Sequence, residues 1–200
     1  ETGSALVYLS FFLMFYREGM PGSFLFTGVA MIVYFVVGVK YDDVMLWDTP
    51  TSVGKFCVLL LVQLFSAGMV WTYLYDKAKV QKMLLFSFGI TLLCFLFSEF
   101  VIPFDIVWVQ LVISAALIGY LVYNALSTRI SHYFFIALFA VGSIAFFYSA
   151  SYVLNDVMQP HQRVRINVLL GLDEDLAGAG YNVHQSEIAI GSGGLQGKGF

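Results

Sequence analysis

Three adjacent acids, Asp173, Glu174 and Asp175, stand in a glycine-studded stretch near the end of the chain. Carboxylates so placed can ligate a metal or act as a general base. Upstream, Pro160-His161-Gln162-Arg163-Val164-Arg165 brings two guanidinium groups; downstream come His184, Gln185-Ser186 and Lys198. From composition alone a solvated acidic turn is the plainer reading of the triplet, and snorkelling to headgroups accounts for the arginines as well as ligand binding does. His184 reads as a surface histidine. Gly191 to Lys198 hints at a phosphate loop, but GxxxxGK[ST] needs Gly at 192 and Ser or Thr at 199, where the chain has Ser192 and Gly199. Nucleotide binding is therefore excluded.

What must position these residues is a membrane scaffold. Of 200 residues, 60% are hydrophobic and 12% charged, with a mean hydropathy of +0.83. Soluble domains carry about 25% charged residues, and no soluble core absorbs such an excess of apolar ones. A spanning helix takes about 20 mostly apolar residues, which predicts about six spans, at 4–17, 20–39, 53–75, 81–100, 104–126 and 131–154. Short polar breaks separate them, including Arg17 to Gly22, Lys40 to Pro50, Asp76 to Lys82, and a hairpin around Pro103 bracketed by Glu99 and Asp105. The fold class expected is all-α: a polytopic transmembrane bundle over 1–155, then a long extracellular loop over 156–200 with short interfacial helices.

Inside the spans the polar residues are mild: Gln63, Ser66, Thr91, Gln110, Ser114, Asn124 and Ser143. None is the ionisable mid-membrane group that marks an ion or proton path. Cys57 and Cys94 read as small hydrophobes. Ala115 and Gly119 form a small-xxx-small pair suited to close helix packing. Trp47, Trp71, Tyr73, Tyr75, Trp108 and Tyr152 fall near span ends, where amphipathic rings favour the headgroup zone. A net charge of −3 with no basic stripe excludes nucleic acid as a partner.

Orientation follows from where Lys and Arg fall. One set of breaks holds Arg17, Lys77, Lys79, Lys82 and Arg129; the alternate set holds Lys40 and Lys55, diluted by Asp42, Asp43, Asp48, Glu99 and Asp105. The first set is expected in the cytoplasm, with His132, which puts the segment after about Asp156 outside. There Pro160 is suited to open a short helix whose apolar side lies in the interface. A second short helix is expected from Asn182 to Ile190, ended by Gly191.

The ordered run Pro160-His161-Gln162-Arg163-Val164-Arg165, Asp175-Leu176-Ala177-Gly178-Ala179-Gly180-Tyr181, Gln185-Ser186 and Ile188 through Gly199 resembles the large extracellular loop of the SEDS family (shape, elongation, division and sporulation). Glu1-Thr2-Gly3-Ser4-Ala5 resembles that family's Q-x-D-x-G-[ST]-A segment, with Glu1 where Asp is usual. The Ile188 to Gly199 run is similar to the RodA-like branch. The resemblance implies a peptidoglycan glycosyltransferase of the bacterial cytoplasmic membrane that polymerises lipid II on the outer face. It implies a class B penicillin-binding protein, a transpeptidase, as partner, and a role in elongation and rod shape. The family's essential acid lies in D-P-x-G-x-G-Y, which falls on Asp175, with Leu176 replacing the usual Pro.

Asp175 is thus the expected catalytic base, and Arg163, Arg165, Gln185 and Lys198 are candidate substrate contacts. No metal ligand set is assigned, though a divalent cation is a candidate cofactor at the diphosphate. The family has two spans between the Gly3-type segment and the His161 region, against about six here; the four extra crossings keep the loop on the same side. The chain reads as a piece of a longer polymerase, missing spans at both ends and inactive by itself. Two other readings stay open: a flippase or transporter of a lipid-linked precursor, and a non-catalytic membrane scaffold of the cell-wall machinery.

Overall fold

The computed structural model describes residues 11, 14–47, 49–172, 181, 185, 186, 188, 191 and 192. The chain divides into two compact units, Glu1–Tyr148 and Ser149–Phe200. The helices are α1 (Gly22–Lys40), α2 (Val53–Leu74), α3 (Lys77–Phe100), α4 (Ile106–Thr128), α5 (Ser131–Tyr152) and α6 (Pro160–Leu170), with a π-helical turn, Val153–Val157, after α5. Among the described residues there is no strand, only an isolated antiparallel bridge between Met45 and Ser52.

Five helices are long and apolar enough to cross a membrane: Gly22–Lys40, Val53–Leu74, Lys77–Phe100, Ile106–Thr128 and Ser131–Val157. That is one fewer than the sequence reading. The remaining span, 4–17, lies largely outside the described residues, of which Phe11 and 14–17 are helical. Two starts differ from expectation for a reason of capping. Asp76 accepts the Lys79 N–H at 3.1 Å, so α3 begins four residues before the apolar run proper. The same bond is the main cause that holds the Asp76 carboxyl below its ordinary range. At α4, Asp105 accepts the Val107 N–H at 2.9 Å and the buried Thr51 hydroxyl accepts the Ile106 N–H at 2.9 Å. Two of the orphan donors at that helix start are thereby satisfied. Asp105, expected as a solvated loop acid, is a cap.

α2 is the hub of the first unit, packing against α1, α3 and α4, while α3 also packs against α4. One core cluster joins Ala67 and Val70 of α2, Met83 of α3, Leu117 of α4 and Ile136 of α5. A second joins Tyr34 of α1, Val58 and Val62 of α2, and Phe147 of α5. The closest backbone approach is at Gly54, whose missing Cβ would fall 2.5 Å from the Gly38 carbonyl oxygen and 2.9 Å from the Tyr41 carbonyl carbon. By contrast, Gly119 has nothing within 4 Å of its Cβ position and Ala115 is exposed. The small-residue seam therefore lies between α1 and α2, and the Ala115–Gly119 pair has no helix seated on it among the described residues. Exposed Leu85, Leu93, Val112 and Phe135 give the outer surface its apolar character.

Four of the mild polar residues of the spans, Gln63, Thr91, Gln110 and Ser114, converge with Ser87. Gln63 of α2 donates to the Gln110 side chain at 2.7 Å and to Ser114 at 2.9 Å, both on α4. Ser87 of α3 donates to the Gln63 side-chain amide oxygen, and Gln110 donates to Thr91 of α3 at 2.7 Å. All five side chains are buried, so three helices are tied by one hydrogen-bonded knot. Interhelical hydrogen bonds in membranes average about 0.6 kcal/mol and reach about 1.7, but a buried group left unpaired costs about 1–3 kcal/mol. Gln63→Leu removes the partners of the Gln110 side-chain oxygen, Ser87 and Ser114 together, and we expect it to lower stability by about 1–3 kcal/mol. Reversible unfolding in mixed micelles checks this; Gln63→Glu, which leaves acceptors and removes donors, should be no better.

Candidate functional site on the second unit

Within the second unit, the π turn closes with the Met158 N–H bonded to the Val153 carbonyl at 2.9 Å. Met158 and Gln159 are then extended, at ψ 139 and ψ 147. A residue before proline is driven from the α region, so Gln159 breaks the helix and Pro160 starts α6 at the position where a missing N–H costs nothing. The Gln159 carbonyl accepts from Gln162 at 2.9 Å and Arg163 at 3.2 Å. At the other end Gly171 adopts φ 68. Leu172 N–H reaches the Asn167 carbonyl at 2.8 Å and Gly171 N–H that of Val168 at 3.1 Å, a Schellman closure. The helix expected from Pro160 is present with both ends explained. The π turn is a feature for which the sequence carries no signal; such turns recur at functional sites.

On α6 both Arg163 and Arg165 are exposed, as is His161, while Val164, Asn167 and Val168 are half-buried. Two residues apart on a helix means roughly 200° around its axis. Arg163 shares a stripe with Ile166 and Asn167, and Arg165 with Val168. The helix therefore presents its two guanidinium groups in different directions, each free of any ion pair among the described residues. Gln185 is helical and exposed. Tyr181, Ser186 and Ile188 are helical too, and so are Gly191 and Ser192, the first of them at the position where the sequence predicts a helix end. Asp173, Glu174, Asp175, His184 and Lys198 lie outside the described residues. Among those described, no group of three or more His, Cys, Asp or Glu lies close enough to hold a metal, and Cys57 and Cys94 are free thiols.

Elsewhere, Glu99 turns its Oε2 inward, buried and without a hydrogen-bond partner. It sits at the end of α3, beside the hairpin that Ser98 closes by accepting from the Phe104 N–H at 3.1 Å and donating to the Phe104 carbonyl at 2.9 Å. Its partial burial departs from the solvated loop acid the sequence suggests.

The fold and this polar second unit define a polytopic helical membrane protein. Over 44 residues the chain is 54% identical to the peptidoglycan glycosyltransferase MrdB of Escherichia coli strain K12, a stretch covering 22% of this chain and 12% of that protein. Over 87 residues it is 38% identical to the peptidoglycan glycosyltransferase RodA of Treponema pallidum strain Nichols, covering 44% of this chain and 19% of that protein. The MrdB of Shigella flexneri matches over 44 residues at 54%. The chain is thus similar to the SEDS glycosyltransferases whose motifs it resembles, and spans less than a fifth of the length of the relatives it matches. No family model matches, and no solved structure matches.

Proposed function

We propose that this chain belongs to a cell-wall glycosyltransferase that polymerises lipid II into glycan strands, with Asp175 as general base. The observation that carries the proposal is the identity shared with two peptidoglycan glycosyltransferases, 54% and 38% over their matched stretches. In the reaction, the 4-hydroxyl of the acceptor's GlcNAc attacks the anomeric carbon of the donor. Asp175 takes the hydroxyl proton, the new glycosidic bond forms, and the bond to the polyprenyl diphosphate breaks. An α-linked donor gives a β-linked strand by a single inverting displacement.

The departing diphosphate gathers negative charge, and fixed cations stabilise that change where water is scarce. Arg163, Arg165 and Lys198 are the groups we assign to it, with a divalent cation as a further candidate and Gln185 as a neutral contact. The divergent directions of Arg163 and Arg165 on α6 favour two separate contacts over one bidentate grip. The charge bias of the connections favours the bacterial cytoplasmic membrane with 156–200 on the outer face, where the polymer is needed. A class B penicillin-binding transpeptidase is the proposed partner.

The experiment is complementation. A strain depleted of its elongation polymerase should regain rod growth with the full-length wild-type gene and remain round with the Asp175→Ala gene at equal protein level. Rod growth with both would favour the scaffold reading.

A further inference from the structure

A groove of about 530 Å³ opens in the first unit where α2 gives way to α3, lined by Phe26, Phe65, Gly68, Trp71, Val80 and Leu84 among others. No lining residue is charged. Lys77 lies on the same stripe of α3 as Val80 and Leu84, at the i, i+3, i+7 spacing that puts side chains above one another. Its Nζ stands 5.4 Å from the centroid of the Trp71 ring, so a cation sits at the rim beside an aromatic wall.

The other lysines at this end are turned elsewhere. Lys79 bonds the Tyr133 hydroxyl at 2.6 Å and pairs with Asp76 at 3.3 Å. Lys82 borders a separate cleft with Phe86 and Tyr120. Among the described residues no carboxylate is within ion-pair distance of Lys77. The connections at this end carry Arg17, Lys77, Lys79, Lys82 and Arg129 against Glu18 and Asp76, an excess of positive charge.

We propose that the groove holds an acyl chain of an anionic phospholipid whose phosphate rests on Lys77. Charge complementarity selects the occupant: a zwitterionic lipid brings its own ammonium into a field already positive, whereas an anionic one does not. One lysine near an anionic headgroup favours it roughly fivefold. The proposal rests neither on the glycosyltransferase reading nor on which leaflet this end occupies.

Trp71 is its own reporter. The other two tryptophans are at the opposite end, Trp47 between α1 and α2 and Trp108 in the first turn of α4. In a Trp47→Phe/Trp108→Phe background reconstituted in vesicles, Trp71 emission is titrated with dibrominated phosphatidylglycerol and, separately, dibrominated phosphatidylcholine. The expected result is quenching by the anionic lipid at a roughly fivefold lower mole fraction. That preference should vanish in Lys77→Gln and persist in Lys77→Arg and Lys82→Gln. Each comparison is a ratio of two lipids within one variant, so the lost lysine–indole contact cancels. Equal quenching by both lipids in the parent, or a preference that survives Lys77→Gln, overturns the proposal. So does relief of quenching by undecaprenyl diphosphate but not by unlabelled phosphatidylglycerol, which would give the groove to a polyprenyl anion.

Discussion

Asp175→Ala is expected to reduce lipid II polymerisation by the full-length protein about 10²–10⁴-fold, with membrane insertion and yield unchanged. That range corresponds to about 3–5 kcal/mol of barrier, the part a positioned base contributes when it removes a proton in the transition state. Asp175→Asn preserves shape and hydrogen bonding but cannot accept the proton, so its rate should match that of Ala. Asp175→Glu keeps the carboxylate and displaces it, and should recover part of the rate. Asp173→Ala and Glu174→Ala bear on field alone and should keep most of the activity. The readout is strand formation on gels at matched enzyme concentration, with a monodisperse gel-filtration profile as the control for folding. A rate loss shared equally by all three acids would mean that local charge, not proton transfer, is what the segment supplies.

The second large effect is structural. Gly54→Val is expected to destabilise the first unit by at least about 1–3 kcal/mol. The added Cβ would lie 2.5 Å from the Gly38 carbonyl oxygen, 2.9 Å from the Tyr41 carbonyl carbon and 3.0 Å from the Asp42 nitrogen. All three are backbone atoms, so no rotamer relieves the clash, and α1 must move away from α2. That movement would also strain the Gly54 N–H bond to the Tyr41 carbonyl, now 2.8 Å, and the Ser52 to Asp42 bond at 3.0 Å. Gly142→Ala is the control: nothing lies within 4 Å of its Cβ position, and alanine favours helix by about 1 kcal/mol. Unfolding midpoints in detergent should fall sharply for the first and hold or rise for the second.

The spans were legible because the bilayer sets their length and their hydrophobicity needs no periodicity to be seen. Five of the expected six correspond to helices, with starts moved by caps at Asp76 and Asp105 that hydropathy does not register. Gln63, Gln110, Ser114 and Thr91 could each be picked out as polar residues in apolar runs. Their meeting with Ser87 in one knot could not, because it depends on helix rotations set by packing. Ser87 and Thr91 at i, i+4 on α3 were the available hint. Among the described residues the close approach falls elsewhere for a similar reason: Ala115 and Gly119 carry the right spacing, yet Gly38 and Gly54, which do meet, sit on different helices and carry no local pattern. At the second unit, Pro160 announced the start of α6 by its backbone chemistry, whereas its end at Gly171 and the π turn before it were not read from the sequence. Asp175 is singled out by motif order alone, since three adjacent acids are chemically alike from composition, and it lies outside the described residues.

The most direct test of the central claim uses the full-length protein in proteoliposomes supplied with fluorescent lipid II. The proposed function predicts a ladder of glycan strands that a muramidase digests to disaccharide peptide, formed by wild type and absent with Asp175→Asn. Lipid II that crosses the bilayer but stays unpolymerised would contradict it and favour a transporter.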